Sequence, residues 1–211
     1  KPVAKTKPAK TGTLQVYPMS LFEKERIEVA SIYGTICDHR SGPVDDDFAN
    51  SGINVAWSGL VTPNFEKGDP RRAVAIDMLA RSLSERECWA YKVRDKQGKP
   101  KHTPNDKNAV KYFKVAAEMG YPVAMNNYGL RLIQGKGVAA NVELGLAYLE
   151  GAIEGEYWFT ATSLAQIYMS QRYGVQDLKT AREWLELSRK HNDSSTKRFK
   201  DLDAQLTEMG G

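Results

Sequence analysis

Residues 120–138 read GYPVAMNNYGLRLIQGKGV, with glycines at 120, 129, 135 and 137 and a lysine at 136. Such glycine density serves either a phosphate-binding loop or a structural unit whose backbone turns tightly or approaches a neighbour. A P-loop needs four residues between its glycines and a Ser or Thr after its lysine. Those residues set backbone N–H groups on phosphate and a hydroxyl on magnesium. Here five residues separate Gly129 from Gly135, and Gly137 follows Lys136. The preceding YPVAMNNYGLRLI also has helical spacing rather than that of the strand a P-loop follows. Spacing, hydroxyl and context all go against phosphate.

The same pattern recurs along the chain. Tyr128-Gly129 and Leu164-Ala165 are 36 residues apart, as are Leu132 and Tyr168, Asn141 and Asp177, Gly145 and Ala181, and Tyr148 and Trp184. Gly137-Val138 answers to Gly174-Val175 with one residue of slippage, and Ala109 and Tyr112-Phe113 precede Gly145 and Tyr148-Leu149 by 36. A period near 36 is the mark of stacked helix pairs. Each unit reads as helix A, a Gly-Val turn, an Asn or Asp start, and helix B. Small residues (Gly129, Gly145, Ala165, Ala181) let helices approach, and aromatic residues (Tyr128, Tyr148, Tyr168, Trp184) fill the space between them. Gly135, Gly137 and Gly174 suit the left-handed end of helix A. Asn141 and Asp177 suit N-caps. The glycines of the opening stretch are read as structural.

These residues carry a resemblance. Ala124-Met-Asn-Asn-Tyr-Gly, Gly135-Lys-Gly-Val138 and Ala116-Ala117-Glu-Met-Gly120 resemble the Sel-one-like repeat, a short relative of the tetratricopeptide repeat. Leu164-Ala-Gln-Ile-Tyr168, Gly174-Val175, Asp177 and Trp184 resemble it again. Ala75, Leu79-Ala80 and Leu83 look like a first helix A, joined to its helix B (105–119) by the expanded connection YKVRDKQGKPKHTP. The fold implied is an all-α, right-handed helix-pair solenoid over residues 69–191. It is flanked by an N-terminal helical and loop-rich segment (18–68) and a C-terminal capping helix (192–211). Within the first flank, SLFEKERIEVASIYGTIC (20–37) is expected to be a helix burying Leu21, Phe22, Ile27, Ala30, Ile32 and Tyr33. In the last, Ser194 or Ser195 is expected to cap a helix carrying Phe199, Leu202 and Leu206 on one stripe.

Composition narrows the function. The chain has 211 residues, 41% apolar, and a net charge of +4. Lys1, Lys5, Lys7 and Lys10 supply all of that charge, leaving 26 basic and 26 acidic side chains in the rest. A balanced body does not offer the concentrated positive face that nucleic acid requires. The Lys- and Pro-rich start (1–17) is read as a disordered tether behind a removed signal or lipid anchor, which leads to an expected periplasmic location, with the cytoplasm as alternative. Cys37 and Cys88 are a possible disulfide or, alternatively, two separate buried thiols.

Little catalytic chemistry is visible. His39, His102 and His191 fall in or beside loops with no serine elbow or zinc pair near them. Asp45, Asp46 and Asp47 lack the alternating ligand layout of a calcium loop. No catalytic residue, metal site or cofactor is assigned. The basic cluster Arg189, Lys190, Lys197, Arg198 and Lys200 is read as a solvated helix face. Tetratricopeptide-like geometry would point three stripes into the concave face: Asp77, Arg81 and Glu85; Asn126, Leu130 and Gln134; Thr162, Gln166 and Ser170. Each follows i, i+4, i+8 spacing on one helix, and together they form the expected partner-binding surface.

The resemblance implies a non-enzymatic protein that binds another protein. Exported relatives of this size resemble immunity proteins paired with type VI secretion effectors of phospholipase-D type. They would act sterically, with the repeat helices and loops 38–68 or 92–104 over the toxin's active-site mouth. The alternative is a scaffold or adaptor that assembles an envelope or signalling complex. Cysteine-rich relatives linked to β-lactam hydrolysis carry a regular cysteine pair in each repeat, which this chain lacks.

Overall fold

The computed structural model describes residues 14–27, 69–84, 96–98, 105–191 and 196–210. Among these residues there is no strand; residues 23–27 are helical, and seven further α-helices follow one another along the chain. They are α1 (Arg72–Ser84), α2 (Asp106–Glu118), α3 (Pro122–Gln134), α4 (Val142–Glu154), α5 (Thr160–Met169), α6 (Leu178–His191) and α7 (Lys197–Glu208). Short 3-10 turns occupy Met19–Phe22 and Gln171–Tyr173. Packing is densest within α1/α2, α3/α4 and α5/α6, and α2 also rests on α3. This is the all-α helical solenoid that the period implied.

Local chemistry sets the helix ends. Pro122 opens α3 at a position where its missing N–H costs nothing. Asn105 and Asn141 cap α2 and α4 by accepting from the Asn108 and Leu144 N–H groups, each at 3.0 Å. Asp177 does the same for α6, accepting from the Thr180 N–H at 3.1 Å, and that bond holds its carboxyl below the ordinary range. The cap of α7 is Thr196, which accepts from the Phe199 N–H at 3.3 Å. Ser194 and Ser195, the expected caps, lie outside the described residues.

The opening glycines are explained by contacts. Gly137 has φ 78°, and a Cβ there would stand 2.3 Å from the Asp106 carbonyl oxygen at the start of α2. On α3, a Cβ at Gly129 would stand 2.7 Å from the Gly145 carbonyl oxygen. A Cβ at Gly145 would in turn meet Ile133 at 2.5 Å. The α3/α4 crossing is therefore backbone against backbone. In the next unit the corresponding Ala165 and Ala181 are fully buried. Beside the glycine crossing the Tyr128 and Tyr148 rings meet edge-on, with centroids 4.9 Å apart.

The core falls into three clusters along the stack, the two toward the C-terminus sharing Tyr168 and Trp184 as neighbours. Phe22, Phe113, Met125, Leu149, Leu164, Leu185 and Leu206 are all fully buried. Each such side chain is worth roughly 1.5–3 kcal/mol relative to exposure. Phe199, Leu202 and Leu206 of α7 are buried as expected and close one end. Arg182 holds that helix in place through an ion pair to Asp203 at 2.6 Å, joined by Arg189 at 3.5 Å.

Two expectations at the N-terminus change. Leu14, Val16 and Tyr17, assigned to the tether, pack against the core. The Tyr17 N–H donates to the Gly120 carbonyl at 3.1 Å and the Met19 N–H to the Gly155 carbonyl at 3.0 Å. A strap thus ties together the turns after α2 and α4, because both turns present free carbonyls. In the following helical stretch Phe22 is buried against Tyr121, ring centroids 4.7 Å apart, but Leu21 and Ile27 are exposed. The rest of the expected tether (1–13) and helix (28–37), together with Cys37, Cys88, His39, His102 and Asp45–Asp47, lies outside the described residues.

Candidate functional site

On the first helix A, Asp77 does not face solvent. Asp77 is 1% exposed and accepts a hydrogen bond from Asn127 Nδ2 at 2.9 Å. Asn126 Nδ2 reaches Asn127 Oδ1 at 3.5 Å, and Asn126 Oδ1 accepts from the Thr160 hydroxyl at 3.1 Å. The result is a polar ladder running from α1 through α3 to the first residue of α5. Tyr121 and Tyr157 stand beside it. Burial first, and the Asp77 carboxylate second, push both phenols up, so they stay protonated. Arg81 is half-buried, with its guanidinium 3.6 Å from Met78 Sδ. Asp77 is thus a structural residue rather than a contact surface, because a buried carboxylate must be hydrogen-bonded. Glu85 lies outside the described residues.

Farther along, the A-helix face opens. A groove of about 400 Å³ lies between α3 and α5. Asn126, Leu130 and Gln134 of α3 line it, with Gln166 of α5 and Ser170 just after that helix opposite. Thr162 does not line it; its hydroxyl donates back to the Phe159 carbonyl at 2.9 Å. Gln166 and Ser170 keep the expected register, and Ser163 and Ile167 of α5 add the adjacent row of the same helix face. Thr160, the first residue of α5, is anchored to Asn126.

Several lining residues come from outside the A helices. Tyr157 and Phe159 belong to the α4–α5 connection, Tyr173 to the 3-10 turn after α5, and Arg198 to α7. Phe159 is 62% exposed, the largest apolar side chain left open near the groove, and its ring lies 5.7 Å from that of Tyr157. Arg198 Nη2 donates to Ser163 Oγ and Gln166 Oε1, both at 3.3 Å. The sequence carried one signal for Arg198, its place in the late basic cluster. That cluster is divided by the fold, since Arg189 is engaged with Glu186 and Asp203. Nothing in the repeat pattern pointed to Phe159 or Tyr173. His191, read as a loop residue, ends α6 and stacks on Trp158 at 3.9 Å.

The lining contains no His, Cys, Asp, Glu or Lys. General acid–base or nucleophilic chemistry needs at least a nucleophile within reach of a base, and Ser163 and Ser170 have no such base in this groove. Among the described residues no group of His, Cys, Asp and Glu could hold a metal ion. Among them, too, no helix is long and apolar enough to cross a membrane. A second hollow, also about 400 Å³, lies among Tyr17, Arg72, Ile76, Val115 and Glu118. It is not built from the A-helix stripes.

Residues 96–121, 122–157 and 163–193 each match the Sel1 repeat. The second coincides with α3, α4 and the turn after them, and the third begins inside α5 and ends just past α6. The first match covers only the α2 half of its pair, although the structure supplies α1 as the partner helix. Stacked helix-pair repeats build extended binding surfaces, and the matches imply a protein partner. No curated protein matches the chain.

Proposed function

We propose that this protein is a non-enzymatic binding module whose partner seats in the groove between α3 and α5. One observation carries the proposal: the groove joins an exposed aromatic ring, Phe159, to a row of amide and hydroxyl side chains with no catalytic base among them. A large aromatic anchor surrounded by hydrogen-bonding groups is the usual make-up of an energetic centre in a protein interface. We further propose that the partner is a secreted bacterial effector of phospholipase type, occluded sterically in the periplasm. This finer reading is supported by the Sel1 repeats and by the resemblance to exported immunity proteins.

Inhibition is the test. A phospholipase-D-type effector from the same cell, assayed on phospholipid vesicles, is expected to lose activity as the full chain is added, with an endpoint at one to one. The Phe159→Asp variant is expected to leave the effector active. Undiminished hydrolysis at excess of the wild-type chain, with several substoichiometric partners recovered from the envelope, would replace the immunity reading with that of an adaptor.

A further inference from the structure

Charge within the groove is one-sided. Its eleven lining residues include one guanidinium, Arg198, and no carboxylate. The hydrogen bonds of Arg198 go to two neutral acceptors, Ser163 Oγ and Gln166 Oε1, and no ion pair to it forms among the described residues. This sets it apart from its neighbours: Arg182 and Arg189 are paired to Asp203, and Arg131 to Asp106. At the rim a second cation, Arg172, stands 5.6 Å over the Tyr173 ring. The two neutral acceptors hold the Arg198 guanidinium against α5 without cancelling its charge, so its remaining N–H groups are available to an incoming carboxylate.

We propose that the groove recognises an extended segment of the partner in which an aspartate or glutamate side chain meets Arg198 and an apolar or aromatic side chain meets Phe159. This rests on the groove being the binding surface. The spacing follows from the helix. Arg198 is held against Ser163 and Gln166, four and seven residues beyond Phe159. At a rise of about 1.5 Å per residue, those positions lie roughly 6 and 10 Å along α5. An extended chain advances about 3.3 Å per residue, so the acid belongs two or three positions from the apolar residue. A single guanidinium matches one side-chain carboxylate. Leu130 and Ile167 line the groove between its two walls and give the segment apolar contact.

The test is peptide display followed by binding measurements. A random twelve-residue library, displayed with both ends blocked by carrier sequence, is selected on the full-length protein. Enriched peptides are then made with amidated C-termini and titrated by fluorescence anisotropy. We expect enriched sequences to carry Asp or Glu two or three positions from Phe, Tyr, Trp or Leu. Arg198→Glu should weaken them about tenfold, and replacing the acid by Lys should restore affinity for that variant. Enriched peptides that lack the acid, and that bind Arg198→Glu as well as wild type yet are lost on Phe159→Ala, would overturn the carboxylate and leave the groove in place. Peptides indifferent to both variants would overturn the groove as well. No enrichment at all would overturn the extended-segment proposal in favour of a folded partner surface. Thermal melting of both variants beside wild type separates lost recognition from lost fold.

Discussion

The two edges of helix α3 do opposite things with similar residues. Toward α1, Asn127 is spent on the buried Asp77, and the A helices are tied shut. Toward α5, Asn126 binds only the first residue of its neighbour, Thr160, and beyond that point the helices are separated by a groove. Polar side chains on a repeat face are therefore not equivalent. Those that meet a partner one helix away become part of the scaffold, and those left over become the surface available for recognition.

Breaking the helix that both edges share should have the largest effect. Gly129→Val forces a branched side chain against the Gly145 carbonyl, a backbone group that cannot rotate aside. We expect a loss of about 3 kcal/mol or more, read as a lower Tm and a lower urea midpoint. Next comes the closed edge. Asp77→Ala removes the acceptor of the Asn127 amide and should cost about 2 kcal/mol, measured by urea unfolding followed by circular dichroism. At the open edge, Phe159→Ala should change stability by no more than about 0.5 kcal/mol. Partner affinity should nevertheless fall by about 2 kcal/mol, or roughly thirtyfold, in a calorimetric titration. A large stability loss there with unchanged affinity would reverse the assignment of the two edges.

Smaller effects come from the caps. Asn141→Ala should lower stability by about 1 kcal/mol, visible as a modest shift in urea midpoint. The Asp177 carboxyl is held below its ordinary range chiefly by the Thr180 backbone N–H. Its contribution is therefore present above the unfolded-state pKa and lost as pH falls through the folded one. The Tm difference between wild type and Asp177→Ala should accordingly shrink on acidification below the usual aspartate range. A difference that stays constant into that range would show that the carboxylate form does not matter to the cap.

Most of the fold was legible because it is written in a period. Glycine spacing, Asn and Asp starts and aromatic positions recur at 36 residues, and the structure places Gly137, Asn141 and Tyr148 in the roles that the recurrence implied. For the site the period supplies only a register. It singles out Asn126, Leu130 and Gln134 of α3 with Gln166 and Ser170 at α5, all of which line the groove. It also singles out Thr162, whose hydroxyl turns back to the Phe159 carbonyl. Asp77 was misjudged because a lone acidic residue on a polar stripe gives no sign that Asn127, fifty positions away, will bury it. Phe159, Tyr173 and Arg198 come from connections and from the cap, the parts of a solenoid that do not repeat. The N-terminal strap escaped for a similar reason. Leu14, Val16 and Tyr17 follow a Lys- and Pro-rich run, and only the carbonyls of Gly120 and Gly155 give them a place to dock.

Amide hydrogen exchange of the full chain, with and without the proposed phospholipase-type effector, tests the difference between the two edges most directly. We expect binding to add protection at residues 126–134, 157–173 and around 198, with no new protection across 72–81. Added protection confined to α2, α4 and α6, on the helices that do not line the groove, would contradict it.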